Sequence, residues 1–193
     1  MKKILISIRP KWVEKIASGE KTIEVRKSAP KEVPFKCYIY MTQGTYKDLG
    51  LYSEGIYQNR MKVIGEFICD KVERFTVGSL RSDDIEKLAC LSYNEMIFYF
   101  YKPAELDGKT AKQGFAWHIS DLKIYDKPKA LVEFYKCGAE SFEELSDTED
   151  LCSYCSRTGF CEGRWCDEAY QNYLDVDFAL TRAPSNWCYV EEL

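Results

Sequence analysis

Two neighbouring stretches, Ile8-Arg9-Pro10-Lys11-Trp12 and Ser18-Gly19-Glu20-Lys21-Thr22-Ile23-Glu24-Val25-Arg26, decide how this chain reads. Ahead of them, residues 4–8 alternate. Ile4, Ile6 and Ile8 fall on one face and Leu5 and Ser7 on the other, the period of a strand. Pro10 suits the first turn of a helix. Trp12, Val13, Ile16 and Ala17 then recur at one-face helical spacing, with Lys11, Glu14, Lys15 and Ser18 outside it. Gly19 stands where a helix ends in a left-handed residue. A second strand follows over residues 22–26, with Ile23 and Val25 on one face and Thr22, Glu24 and Arg26 on the other.

Glu24 and Arg26 therefore share a face, and Lys21 sits at the turn leading into it. This makes a compact set of two cations and one carboxylate. A nucleobase suits such a set. The carboxylate accepts from an amino group, and the cations meet phosphate or carbonyl oxygens. The plain alternative is a solvated face whose Glu–Arg ion pair carries little energy. Ser7 and Arg9 share a face of the first strand, and Lys11 opens the helix, so the three extend a cationic rim. An exposed helix lysine is an equal reading of Lys11.

Further along, Cys37-Tyr38-Ile39-Tyr40-Met41 is aromatic and β-rich, and residues 42–60 read as a long loop. Residues 61–70 alternate Val63, Gly65 and Phe67 against Ile64, Glu66 and Ile68, in a strand that continues through Val72 and Phe75. Ser82-Asp83-Asp84-Ile85-Glu86 looks like a capped helix start, and a second short helix is expected around residues 92–101. Phe115-Ala116-Trp117-His118-Ile119 is a strand, with a parity switch and so a bulge before Ile124. Trp187-Cys188-Tyr189-Val190 is a short strand. His118 alternates away from Trp117 and Ile119 and is a candidate ligand contact or a satisfied structural histidine. Trp12 reads as core. Tyr38, Tyr40 and Trp187 could stack on a base, or pack. Asp107-Gly108-Lys109-Thr110 contains Gly-Lys-Thr, but a phosphate loop needs Gly where Pro103 stands, so it is a plain turn.

The first-strand, helix and second-strand pattern resembles the ASCH domain of the PUA-like superfamily. Gly19, Lys21, Glu24 and Arg26 carry the match. Ala116-Trp117-His118-Ile119-Ser120-Asp121-Leu122-Lys123-Ile124-Tyr125-Asp126-Lys127-Pro128 and the block from Arg182 to Glu192 resemble later strands of phage and bacterial ASCH proteins. The resemblance covers residues 1–136 and 181–193. It implies a PUA-like β-barrel with a cleft beside the first helix, binding RNA or a nucleotide-like ligand. Some members act as amidohydrolases on acetylated cytidine, and others are credited with ribonuclease activity. In the amidohydrolases the motif lysine pairs with a threonine three residues on, and a distant glutamate completes the set. Lys21 matches the lysine. Glu24 occupies the threonine position, Thr22 does not restore the spacing, and Glu95 is a glutamate candidate that no motif fixes.

Composition bounds the rest. The 193 residues are 46% hydrophobic and 30% charged, which excludes a mostly disordered chain. No apolar run is long enough for a membrane span. The five uncharged residues before Arg9 are too short for a signal-peptide core, so a cytoplasmic protein is expected. Charge is uneven: residues 1–36 hold 10 Lys/Arg against 4 Asp/Glu, and residues 137–193 hold 3 against 13. The basic end can meet an anion; the acidic segment cannot hold a phosphate backbone. A single His excludes His-rich metal sites and the His-Glu-x-x-His zinc motif.

Six of the nine cysteines lie from Cys137 onward. Cys152, Cys155, Cys161 and Cys166 have the donor set of a tetrahedral zinc site, the first pair at the spacing that lets one turn give two ligands. Gly159 and Gly163 free the backbone between them, and a metal would supply order that few aliphatic residues can. An iron–sulfur cluster, a redox pair and free thiols are the alternatives, and Cys137 or Cys188 could replace one ligand.

The expected architecture is α+β: a PUA-like mixed β-barrel with flanking helices, formed by residues 1–136 and 181–193. Residues 137–180 form an acidic, Cys-rich, zinc-stapled insertion. The expected function is RNA or nucleotide binding through Ser7, Arg9, Lys11, Lys21, Glu24, Arg26 and His118. If the protein is an enzyme, it is a hydrolase of a modified nucleoside or RNA, with Lys21 and Glu24 as catalytic residues. A third possibility is a protein-interaction module working through the acidic insertion.

Overall fold

The computed structural model describes residues 1–44, 58–102, 105, 111–136, 180 and 182–192. Cys137, the four clustered cysteines and the Asp107–Thr110 turn lie outside them, as does most of the long loop. The described elements run β1 (Lys2–Ile8), α1 (Pro10–Ala17), β2 (Ile23–Arg26), β3 (Phe35–Met41), β4 (Lys62–Cys69), β5 (Val72–Thr76), α2 (Leu80–Leu88), α3 (Tyr93–Phe100), β6 (Gln113–His118), β7 (Ser120–Lys129), β8 (Phe134–Lys136) and β9 (Trp187–Glu192). The fold is α+β, with a mixed sheet-rich core and short helices.

Two sheets share that core. The larger has the order β7-β4-β3-β1-β9-β8, and the smaller is β2-β6-β5. Strands β1 and β3 are parallel, and the other pairs are antiparallel. The chain crosses between sheets four times, from β1 to β2, β2 to β3, β4 to β5 and β6 to β7, so the two sheets wrap a common interior. Ile4, Ile6 and Ile8 of β1, Phe35, Cys37 and Ile39 of β3, and Trp117 of β6 pack there. Burying an aliphatic side chain of this size contributes about 1.5–3 kcal/mol. Strand β1 is buried on both faces, because Leu5 points instead into a second cluster with Tyr38, Phe134 and Val190. Strand β9 lies between β1 and β8, pairing Ile6 with Trp187 and Phe134 with Glu192.

Three details depart from the sequence reading. The strand expected from residue 61 through Phe75 is two strands in different sheets, broken at Asp70 and Lys71. Its strict alternation also fails inside β4. Ile64 and Phe67 face the same core, and the register against β7 shifts between Val63 and Gly65. A bulge adds one residue and flips the parity. A Cβ at Gly65 would stand 2.5 Å from the Lys123 carbonyl oxygen, so the close approach needs glycine. Helix α2 starts at Leu80, two residues before Ser82, whose hydroxyl donates back to the Ser79 carbonyl at 2.6 Å. Helix α3 follows the expected capping logic: Ser92 and Glu95 form a reciprocal capping box.

Candidate functional site

Helix α1 follows β1 after a single residue and lays Val13 and Ile16 into the core. Gly19, at φ 77°, turns the chain out of the helix. The backbone then returns with Lys21 N–H donating to the Lys15 carbonyl at 2.9 Å. That turn aims the Lys21 side chain inward. In β2, Ile23 and Val25 pack toward α2 and α3, alongside Met96, Phe100 and Ala116. Glu24 and Arg26 take the opposite face. There β2 pairs with β6 so that Glu24 meets Trp117 and Arg26 meets Phe115, and this face looks toward the larger sheet. The polar face of the strand is therefore interior rather than solvated.

Lys21, Glu24 and Arg26 are 2%, 6% and 7% exposed. Glu24 bridges the cations: one carboxylate oxygen is 3.2 Å from Lys21 Nζ and the other 3.0 Å from Arg26 Nη2. Lys21 Nζ also donates to the Ala89 carbonyl at 2.7 Å, at the C-cap of α2, where a helix favours a cation. Arg26 donates to the Ser7 carbonyl at 2.8 Å and to the Asn186 side-chain oxygen at 3.0 Å. Buried ions persist only when paired and hydrogen-bonded, and most of the donors here are. The exception is Arg26 Nε, which has no hydrogen-bond partner among the described residues.

These side chains floor a cavity of about 650 Å³, within the range of small-ligand pockets. Ser7, Arg9, Lys11, Lys21, Glu24 and Arg26 all line it, so six of the seven sequence-derived ligand contacts come together. His118 is not among the lining residues. Its Nε2 meets Glu73 Oε1 at 2.6 Å, at the end of β6. Trp12, expected in the core, is half-buried at the cavity wall, with Lys11 Nζ 4.0 Å and Lys21 Nζ 5.4 Å from its ring centroid. Tyr38 and Tyr40 are buried in the cluster on the other side of β1. Trp187 packs edge-on to Trp117 and Tyr189.

The sequence reading missed the opposite wall. Leu91, Phe98 and Tyr99 face Trp12 and the charged floor, and Glu95 reaches Lys11. Phe98 is 68% exposed. Burial pushes the Tyr99 phenol up; Glu24 adds to that, while the neighbouring Arg26 charge opposes it. At Glu95 burial pushes upward too, but hydrogen bonds from Lys11 and Ser92 carry the carboxyl below its ordinary value. Lys27 Nζ lies 5.1 Å from the Tyr99 ring centroid at the rim. Asn186 was legible only as part of the block from Arg182 to Glu192. The wall from α3 had no signal beyond one unplaced glutamate.

Among the described residues no group of three or more His, Cys, Asp or Glu could hold a metal ion. No described helix is long and apolar enough to cross a membrane.

No protein-family model and no curated protein matches this chain. Among solved structures it is similar to the ASCH protein of Zymomonas mobilis, at 23% identity and TM-score 0.49, over 67% of this chain and 74% of that one. A tyrosine-to-phenylalanine variant of that protein aligns at 21% identity and TM-score 0.47, over 68% and 77% of the two chains. The N-terminal domain of Staphylothermus marinus McrB aligns over 91% of this chain and 92% of its own, at 12% identity and TM-score 0.39. These likenesses are distant, and no residue role is carried across from them.

Proposed function

We propose that this protein is an ASCH-type module that binds a nucleotide or RNA by placing a base on the Lys21–Glu24–Arg26 floor. One observation carries the reading: a buried, mutually paired Lys–Glu–Arg set forms the floor of an open cavity flanked by Trp12, Phe98 and Tyr99. Charges cost several kcal/mol each to bury even when paired, and a solvated strand face would not incur that cost. The floor offers acceptor and donors together. Each Glu24 oxygen keeps a free lone-pair direction beyond its one cation, and the Lys21 ammonium has one N–H beyond its two partners. Bases that show an amino group beside a ring nitrogen or carbonyl fit both. The aromatic walls supply a sequence-tolerant stacking surface.

The test is calorimetric titration of cytidine, adenosine, guanosine and uridine, and of a short RNA. Amino-bearing bases should bind more tightly than uridine, and Glu24→Gln should reduce that difference. A protein that binds none of these ligands contradicts the reading.

A hydrolase of the same cleft is the second reading. It is favoured by the position of Glu95, which lines the cavity with Lys21, Glu24 and Thr42. A lysine–carboxylate pair can do acid–base work on a bound base or water. The glutamate at position 24, where the amidohydrolase pattern has threonine, argues that N4-acetylcytidine is not cleaved. Cleavage by the native protein would promote the enzyme reading. For the insertion, we propose structural zinc held by Cys152, Cys155, Cys161 and Cys166, with its acidic surface available to a protein partner.

A further inference from the structure

Five cations line the cavity, Arg9, Lys11, Lys21, Arg26 and Lys27, against two carboxylates, Glu24 and Glu95. Glu24 is committed to Lys21 and Arg26, and Glu95 to Lys11 at 2.6 Å. Arg9 and Lys27 are exposed and meet no carboxylate among the described residues. A concave site with a surplus of one sign concentrates the opposite charge. The same wall holds the start of α1, whose first turn has no acidic residue and whose N-cap, Arg9, supplies no side-chain bond. The positive end of that helix is thus uncompensated where Arg9 and Lys11 enter the cavity. The floor beneath has a donor to spare as well. The 7%-exposed Arg26 guanidinium lines the cavity with its Nε donor unpartnered among the described residues, while its other two nitrogens are bonded. A buried donor left without an acceptor is unfavourable, and an oxygen of the bound base would relieve it.

Building on the base-binding reading above, we infer that the cleft has a second subsite and takes a phosphate ester of a nucleoside in preference to the nucleoside itself. The base occupies the Lys21–Glu24–Arg26 floor. The phosphate sits toward the mouth, at Arg9, Lys27, Lys11 and the first turn of α1. Lys11 need not leave Glu95, because its ammonium has three N–H donors and Glu95 takes one. The phosphate ester can come from a free mononucleotide or from the backbone of an RNA strand.

The experiment titrates cytidine, cytidine 5′-monophosphate and the dinucleotide CpC into the native protein, and into Arg9→Ala, Lys27→Ala and the double variant. Both substituted side chains are exposed, so the fold is not at risk. At low salt at least one phosphate ester should bind tenfold or more tightly than cytidine, with an advantage that shrinks as salt rises. The tighter of the two names the source. The double variant should lose most of that advantage. Equal affinity for cytidine and both esters, or an advantage that survives the double variant, overturns the second subsite and leaves the base-binding reading intact. Failure of all three ligands to bind contradicts that reading itself, and this inference with it.

Discussion

Lys11 Nζ stands 2.6 Å from Glu95 Oε1, joining two residues 84 apart in the chain. The contact ties the first turn of α1 to the first turn of α3 across the cleft mouth. Glu95 also acts within its own helix. Its other oxygen accepts from the Ser92 backbone N–H at 3.0 Å and closes the capping box of α3. One side chain thus sets both the helix start and the distance between the cleft walls.

Protonating Glu95 should loosen both. Its carboxyl titrates below the ordinary 4.5, despite burial, because of the Lys11 and Ser92 hydrogen bonds. A depressed folded-state value means the contribution is present above the unfolded value and is lost as pH falls through the folded one. Acid-induced loss of stability should therefore begin near pH 4.5 and deepen below it. Glu95→Gln keeps the capping box but not the charge, and should flatten that slope. The side chain is 41% exposed, so the difference should not exceed about 1 kcal/mol. Denaturant titrations across the acid range and at neutral pH would show it, and identical acid slopes would refute it.

Removing Glu24 should destabilise the fold as well as weaken binding. Glu24→Ala leaves Lys21 and Arg26 buried without their shared counter-ion, a loss of about 3–5 kcal/mol in comparable buried pairs. Glu24→Gln retains an acceptor oxygen and should lose less. Urea unfolding of both variants checks the order. Equal stability of all three proteins would mean the set is solvated in solution.

Phe98 separates binding from folding in the opposite sense. Being largely exposed, Phe98→Ala should change stability by no more than about 0.5 kcal/mol. It should still weaken nucleoside binding by about 1–3 kcal/mol, the usual value of a base–aromatic stack. Parallel melting and titration suffice. Unchanged affinity removes Phe98 from the site.

The cysteine cluster makes a chemical prediction. Anaerobically purified protein should carry about one zinc per chain, the stoichiometry of a four-thiolate site. Cys155→Ser should release it and leave the two-sheet core folded. Metal analysis finding neither zinc nor iron would dismiss the site.

The charged floor was legible because it is local. Lys21, Glu24 and Arg26 lie within six residues, and a two-residue strand period puts the latter two on one face. Their burial was not legible. It depends on β6 placing Trp117 and Phe115 beside them and on the larger sheet covering that face, pairings made far along the chain. The break at Asp70 and Lys71 was missed for a related reason: residues 61–75 read in sequence as one continuing strand, and only the partners of β4 and β5 reveal two sheets. The wall from α3 was invisible because exposed Phe98 and Tyr99 look, in sequence, like any aromatic helix face. The Glu24 position, which departs from the amidohydrolase pattern, is filled here by the bridge between two cations.

The most direct test of the cleft is backbone amide chemical-shift mapping as cytidine 5′-monophosphate is added to the native protein. Shifts should concentrate at Arg9, Lys11, Lys21, Glu24, Arg26, Leu91 and Phe98, and the β4–β7 edge of the larger sheet, where the Tyr125 hydroxyl donates to Glu66 at 2.6 Å, should stay unchanged. Shifts absent from the first group, or confined to the second, would contradict a ligand site between α1 and α3.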